Sequence, residues 1–325
     1  MVELFGKIQV DWLGKRKLFI AISTLLMLIG MVSLLTKGSF EYGVDFKGGT
    51  IIKVRFQEKP DIEMLRASLR NNGAPNTQIQ ELRGSASAND VLIEFGEDAE
   101  TSEASRGREV IQAALDKTYA GKFEILSATS VGAKVGADLR RQAVLATLYA
   151  LGGILIYIAF RFEWIYGAAA VFAVFHDTLV TLGLFSLFNR EINLTVIAAL
   201  LTLVGYSVND TIVVFDRMRE NLKFRRRDDL EAVMNDSINQ TLSRTILTSG
   251  LTFMTVLALF LFGGEIINQF AFAMVSGIIV GTYSSIAIAA PLVLIYTNLR
   301  GKAALPAAVG SRSGSAKVPR PAKAK

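Results

Sequence analysis

Residues 205–211 read Gly205-Tyr206-Ser207-Val208-Asn209-Asp210-Thr211, and they lie inside an apolar run extending from about 192 to 215. A helix needs roughly 20 apolar residues to cross the hydrocarbon core of a bilayer. The run meets that length, so it predicts a transmembrane helix with a carboxylate inside it. Asp210 falls about one and a half turns from the end of the run. An ionisable side chain in hydrocarbon is expensive and marks a functional position by default. An Asp side chain is too short to snorkel far, so Asp210 needs a water path or a hydrogen-bond donor on another helix.

Further apolar runs occur at about 18–35, 142–160, 166–188, 245–263 and 270–297. Six spans result, and composition agrees. Of 325 residues, 51% are apolar and 20% charged, with a mean hydropathy of +0.39. Lys15, Arg16 and Lys17 precede the first run, as they would in a signal peptide. No small-residue cleavage site follows it, so a retained start-transfer helix is expected. Basic residues then set orientation. With six spans, Lys7 and Lys15–Lys17, Arg161, the cluster Arg217, Arg219, Lys223 and Arg225–Arg227, and Arg300 with Lys302 all fall on one side, the cytoplasm. Arg140 and Arg141 fall on the other side, at the end of a long translocated segment where the rule is weak. The net charge of +6 therefore reads as topology rather than nucleic-acid binding. Cysteine is absent and His176 is the single histidine, which leaves no thiolate chemistry and no multi-histidine metal site within this sequence.

The expected organisation is a cytoplasmic N-terminus over 1–17, a first span over 18–36, a periplasmic α+β domain over 37–139, spans two to six over 140–299 with a basic cytoplasmic loop at 216–243, and a disordered basic cytoplasmic tail over 300–325. In the α+β domain, Ile51-Ile52-Lys53-Val54-Arg55-Phe56 alternates like a strand. Asp61 reads as the N-cap of an amphipathic helix to Asn71. Strands follow at about 77–82 and 91–95, then a helix over 102–119 and a strand over 122–129. That order, β-α-β-β-α-β, is the ferredoxin-like plan, which hosts many functions. Its acidic residues read as solvated surface, and no catalytic constellation stands out.

Other membrane positions carry polar chemistry. Ser207 is three residues before Asp210 and shares its face. Arg244 begins the fifth span, with Thr241, Thr248, Thr252 and Thr255 on its face. It reads either as the cationic head of a polar stripe paired with Asp210 or as an interfacial anchor. His176 and Asp177 lie near the middle of the third span. As neighbours they point about 100° apart, which argues against a catalytic dyad and leaves a relay or plain packing open. In the sixth span, Ala273, Gly277, Gly281, Ser285 and Ala289 form a small-residue ridge for close helix approach, either within the chain or to a partner.

Three motifs, in order, carry a family resemblance: Val44-Asp45-Phe46-Lys47-Gly48-Gly49; residues 205–211 running into Phe215-Asp216-Arg217 and Glu220-Asn221; and Ser243-Arg244-Thr245-Ile246-Leu247-Thr248-Ser249. Over about residues 10–300 the sequence resembles the SecD/SecF family of protein-export membrane subunits, which is similar to halves of resistance-nodulation-division transporters. The resemblance implies a multi-pass protein of the bacterial inner membrane with both termini cytoplasmic. It implies SecD, the SecY–SecE–SecG channel, the small protein YajC, a translocating preprotein and membrane lipids as partners, and no nucleic acid. It implies use of the proton gradient, or sodium in some members, for late translocation and release, with no enzyme activity and no cofactor. Asp210 and Arg244 match the family's ion-conducting Asp and Arg, with Ser207 and Thr248 beside them. Asp45, Phe46, Gly48 and Gly49 match a structural motif; Gly48-Gly49 lacks the context of a phosphate loop. The competing expectations are half of a small-molecule or lipid exporter, which would carry a larger outer domain, and a scaffold without ion flux.

Overall fold

The computed structural model describes residues 9–75, 77–82, 89–96, 106–161, 163–225 and 227–300. Lys7, Arg226, Lys302, the tail beyond 300 and the expected start of a helix at Ser102 lie outside them. Helix α1 (Arg16–Lys37) leads to a single turn, α2 (Val44–Lys47). The α+β domain follows as β1 (Gly49–Phe56), α3 (Ile62–Asn71), β2 (Thr77–Glu81), β3 (Asp90–Phe95), α4 (Arg106–Tyr119) and β4 (Phe123–Val131). Then come α5 (Ala133–Arg161), α6 (Trp164–Leu187), α7 (Leu194–Phe224), α8 (Leu230–Phe262) and α9 (Glu265–Ser284). A π-helical turn, Ser285–Ala289, joins α9 to α10 (Ala290–Arg300). Among the described residues, α1, α5, α6, α7, α8 and the continuous α9–α10 are long and apolar enough to span a membrane.

Helices α7 and α8 outrun their apolar cores, so the expected loop at 216–243 is helical except at its turn. Its charges pair along one helix face, as in Arg217–Glu220 and Arg219–Asp216, which supports helix at i,i+3 spacing. The extension has a further use. Asn235 accepts from the backbone N–H of Trp12 at 2.8 Å, and Asn235 and Asn239 both donate to the carbonyl of Val10. The segment before α1 is thereby clamped onto α8.

The strands form one antiparallel sheet in the order β2-β3-β1-β4. Alternation in β1 turns Ile52, Val54 and Phe56 into a core with Leu65, Ile93, Ile111 and Leu115. Asp61 caps α3 as expected, accepting from Glu63 N at 2.9 Å and Met64 N at 3.3 Å. Asp90 departs from the solvated-surface expectation most clearly, and Glu94 on the same strand is partly buried too. The Asp90 side chain is buried, because Arg55 and Lys53 on the neighbouring strand cover it at 2.8 and 3.5 Å.

The continuous α9–α10 span is the most deeply packed: 72% of its apolar window is buried, against 11% for α1 and for α5 and 17% for α8. The small-residue ridge explains this. A Cβ on Gly277 would stand 2.4 Å from a methyl of Leu203, and one on Gly281 would stand 3.2 Å from Ser207 Cβ. The ridge therefore seats α9 on α7 of the same chain. On the other side of the bundle Gly30 of α1 meets Gly183 of α6 backbone to backbone.

Gly48 and Gly49 have φ of 84° and 147°, and a Cβ on Gly49 would lie 2.4 Å from the Phe95 carbonyl oxygen. Both backbone conformation and space demand glycine there. Gly49→Ala should destabilise the α+β domain by about 2 kcal/mol, read as loss of hydrogen-exchange protection in β1 and β3; unchanged protection would contradict the geometry.

Candidate functional site

Asp210 is 2% exposed in the middle of α7. Its Oδ2 accepts a hydrogen bond from Ser249 of α8 at 2.7 Å. Ser249 follows Thr245 by one turn on the buried side of α8. Arg244 stands about 140° around the same helix from Ser249, on its exposed side. Among the described residues no ion pair or hydrogen bond joins Arg244 to Asp210. The expected Asp210–Arg244 contact is thus absent, for a reason of helical phase: Arg244 and the residue facing Asp210 lie on different faces. Thr248 shares Arg244's exposed side and donates to the carbonyls of Arg244 and Thr245. Thr252 and Thr255 likewise bond to their own helix four residues back.

Ser207 does not serve Asp210 either. Its hydroxyl donates to Asp177 Oδ2 at 2.5 Å, and Ser284 of α9 donates to the same oxygen at 2.8 Å. His176 Nδ1 lies 2.9 Å from Asp177 Oδ1. The two Cβ vectors diverge as expected, yet the side chains bend back and meet, so geometry does not separate them. His176 and Asp177 are 2% and 1% exposed. The span positions flagged in the sequence therefore resolve into two buried carboxylate centres: Asp210–Ser249 between α7 and α8, and His176–Asp177–Ser207–Ser284 between α6, α7 and α9.

Ser249 and Ser284 were not singled out by sequence reasoning. Ser249 closes the quoted motif 243–249, and its spacing from Thr245 was the available signal. Ser284 is three residues beyond Gly281, the ridge position nearest Asp177, and nothing else in the sequence marks it.

The motif at 44–49 joins the α+β domain to this bundle. Asp45 Oδ2 accepts from the backbone N–H of Leu194, the first residue of α7, where a helix N-terminus favours negative charge. Phe46 is buried against the bundle among Val196, Ala199 and Leu200. Beside it lies a cleft of about 470 Å³ lined by Lys47, Gln78, Glu94 and Glu191. Burial, then the negative charges of Glu191 and Asp45, push Glu94 up to about 7. Burial also raises Glu191, against the opposing hydrogen bond from Gln78 and the charge of Lys47. Among the described residues no group of three or more His, Asp or Glu could hold a metal.

Glu94 keeps its proton to about pH 7 when folded, whereas an unperturbed Glu loses it near 4.5. Its stabilising contribution is greatest below the unfolded value and is lost as pH rises through 7. Thermal stability in detergent should therefore fall between pH 5 and pH 8, with Glu94 contributing on the order of 1–2 kcal/mol after solvent screening. Glu94→Gln should flatten that dependence; an equally steep fall in the variant would refute the assignment.

Comparison with known proteins gives consistent matches. The family described as Protein export membrane protein SecD/SecF, C-terminal, matches residues 110–299, and the SecD/SecF GG Motif matches residues 32–59. The first match contains Asp177, Asp210 and Arg244; the second contains Asp45 to Gly49. The protein translocase subunit SecF of Koribacter versatilis is 40% identical, covering 98% of this chain and 100% of its own. That of Calditerrivibrio nitroreducens is 46% identical over 90% of this chain and 95% of its own. The crystal structure of SecDF, a translocon-associated membrane protein from Thermus thermophilus, is 38% identical with a TM-score of 0.77, covering 90% of this chain. The chain spans only 39% of that solved chain's length. A structure of SecDF in a super-membrane-facing form gives a lower TM-score of 0.68 at the same identity.

Proposed function

The chain belongs to the SecD/SecF family of protein-export membrane proteins, and we propose that it works beside SecD in the Sec translocation machinery, using a proton or sodium gradient through Asp210 to promote late translocation and release of exported proteins. The observation that carries this reading is a carboxylate buried in a membrane-spanning helix with a single hydroxyl donor, Ser249, on the next helix. Such a group gains or loses a cation only with a change in its surroundings.

The distribution of Lys and Arg supports both termini in the cytoplasm and the α+β domain in the periplasm, across the bacterial inner membrane. The order β-α-β-β-α-β and the sheet order β2-β3-β1-β4 support a ferredoxin-like plan for that domain. The sparsely buried faces of α1, α5 and α8 leave room for SecD, the SecY–SecE–SecG channel, YajC and lipid. Arg244 lies on one of those exposed faces, so it is available to SecD.

Binding a proton removes the charge that Ser249 solvates and loosens α7 from α8. The bond from Leu194 N to Asp45 passes the movement of α7 to the periplasmic domain, which holds the emerging preprotein against backsliding. One proton crossing 100 mV supplies about 2.3 kcal/mol, enough to bias a two-state element roughly 50-fold.

Asp210→Asn should abolish gradient-stimulated export in membrane vesicles at normal protein level, and Ser249→Ala should reduce it several-fold. Export stimulation that survives in Asp210→Asn ends this account. Orientation is tested separately. Single cysteines placed at Lys59 and at Arg227 of this cysteine-free chain should react with an impermeant maleimide from opposite sides of the membrane. Labelling of both from one side would remove the topology.

A further inference from the structure

We propose that Asp177 is a second proton-holding carboxylate of this half-transporter, that His176 delivers the proton to it, and that Ser284 ties its charge state to the packing of α9. The inference rests on reading the chain as ion-coupled, and it adds a site distinct from Asp210.

Packing alone does not explain the cluster. An ionised Asp177 accepts from three donors, so His176 presents Nδ1–H to Oδ1. Its Nε2 is then a bare lone pair in a fully buried side chain, without a hydrogen-bond partner among the described residues. Buried polar atoms are almost always satisfied, and an exception calls for an explanation. Here the open position is a proton acceptor in line with a carboxylate. A proton bonds to Nε2, the Nδ1–H bond breaks, and that proton bonds to Asp177 Oδ1. The imidazole ends neutral in its other tautomer, and the carboxyl ends neutral. A hard cation asks instead for a shell of oxygens. The cluster offers one carboxylate, two hydroxyls and a nitrogen, which fits a proton better than sodium.

The surroundings contain little that competes. Between 18 and 36, α1 carries no titratable residue. On α5 Tyr149 and Tyr157 are exposed. On α9 Tyr283 is engaged with Ser23 and the Phe19 carbonyl, and α10 offers Tyr296. On α7, Tyr206 adjoins Ser207, and Asp210 lies three residues beyond it, facing α8. Asp177 therefore approaches one turn of α7 from α6, while Asp210 projects from that turn toward α8.

The cluster also sits where the bundle can repack. Both hydroxyls donate to Asp177 Oδ2, one from α7 and one from the last residue of α9. The absence of a side chain at Gly281 admits α9 here; a Cβ would lie 3.6 Å from that oxygen. The next residue begins the π-helical turn Ser285–Ala289. Such turns are rare and frequently mark functional sites. Neutralising Asp177 weakens both hydroxyl bonds, frees Ser284, and lets α9 rotate at the π-turn relative to α6 and α7.

The test is pH-difference infrared spectroscopy of the full chain in lipid vesicles, made in an Asp210→Asn background so that failure of the Asp210 account leaves it unaffected. A carboxylic-acid band should grow on acidification and be missing when Asp177→Asn is added. Ser284→Ala should displace its midpoint by about tenfold in proton concentration, as loss of a donor to a charged acceptor implies, and Ser284→Thr should restore it. Identical spectra with and without Asp177→Asn would overturn the proposal. So would a band that responds to sodium at fixed pH, or a midpoint indifferent to Ser284→Ala.

Discussion

A carboxylate inside a membrane-spanning bundle must be held by donors from neighbouring helices, and the rest of this structure follows from that requirement. Asp210 reaches Ser249 of α8, and Asp177 reaches Ser207 of α7 and Ser284 of α9. These bonds demand close helix approach, which is why glycine stands where α9 meets α7. Neither centre contains a permanent cation. Hydroxyls satisfy a carboxylate without neutralising it, whereas losing one partner of a tight buried ion pair leaves an uncompensated charge.

The α+β domain is joined to the bundle through the 42–49 segment, the Gln78–Glu191 bond and the run from β4 into α5. Asp45 sits on the N-terminus of α7 and Phe46 packs beside it, while Gly48 and Gly49 turn the chain into β1 without room for any side chain. The connection is short and shaped by glycine, so displacement of α7 has a direct mechanical route to the sheet. The cleft at the same junction, lined by Glu94, Glu191 and Lys47, makes the seam sensitive to pH as well.

Much of this was legible in the sequence. The six spans and the α+β element order follow from hydrophobic period and length, and Asp61 announced its cap. The flagged positions Asp210, Asp177 and His176 are buried within their helices, as their place inside apolar runs implied. Helical phase was the limit. Arg244 and Thr248 look like partners of Asp210 when counted along α8, but which face of α8 meets α7 is decided by tertiary packing. The same ambiguity sent Ser207 to Asp210 on paper and to Asp177 in the fold. Neighbouring side chains can also rotate toward each other, so His176 and Asp177 meet despite diverging Cβ directions. Asp90 escaped notice because its covering cations sit on another strand. The helical continuation through 216–243 was hidden by composition, since membrane-derived reasoning ends where apolar residues end.

The central claim is that charge on Asp210 sets the relation between the bundle and the α+β domain. Spin-label distances between the domain and α9, measured in the complex with SecD at several pH values, address it most directly. The account predicts two distance populations whose ratio changes by tens of fold with pH, and a single population at every pH in Asp210→Asn. A ratio that ignores pH in the native chain, or that shifts equally in the variant, would contradict it.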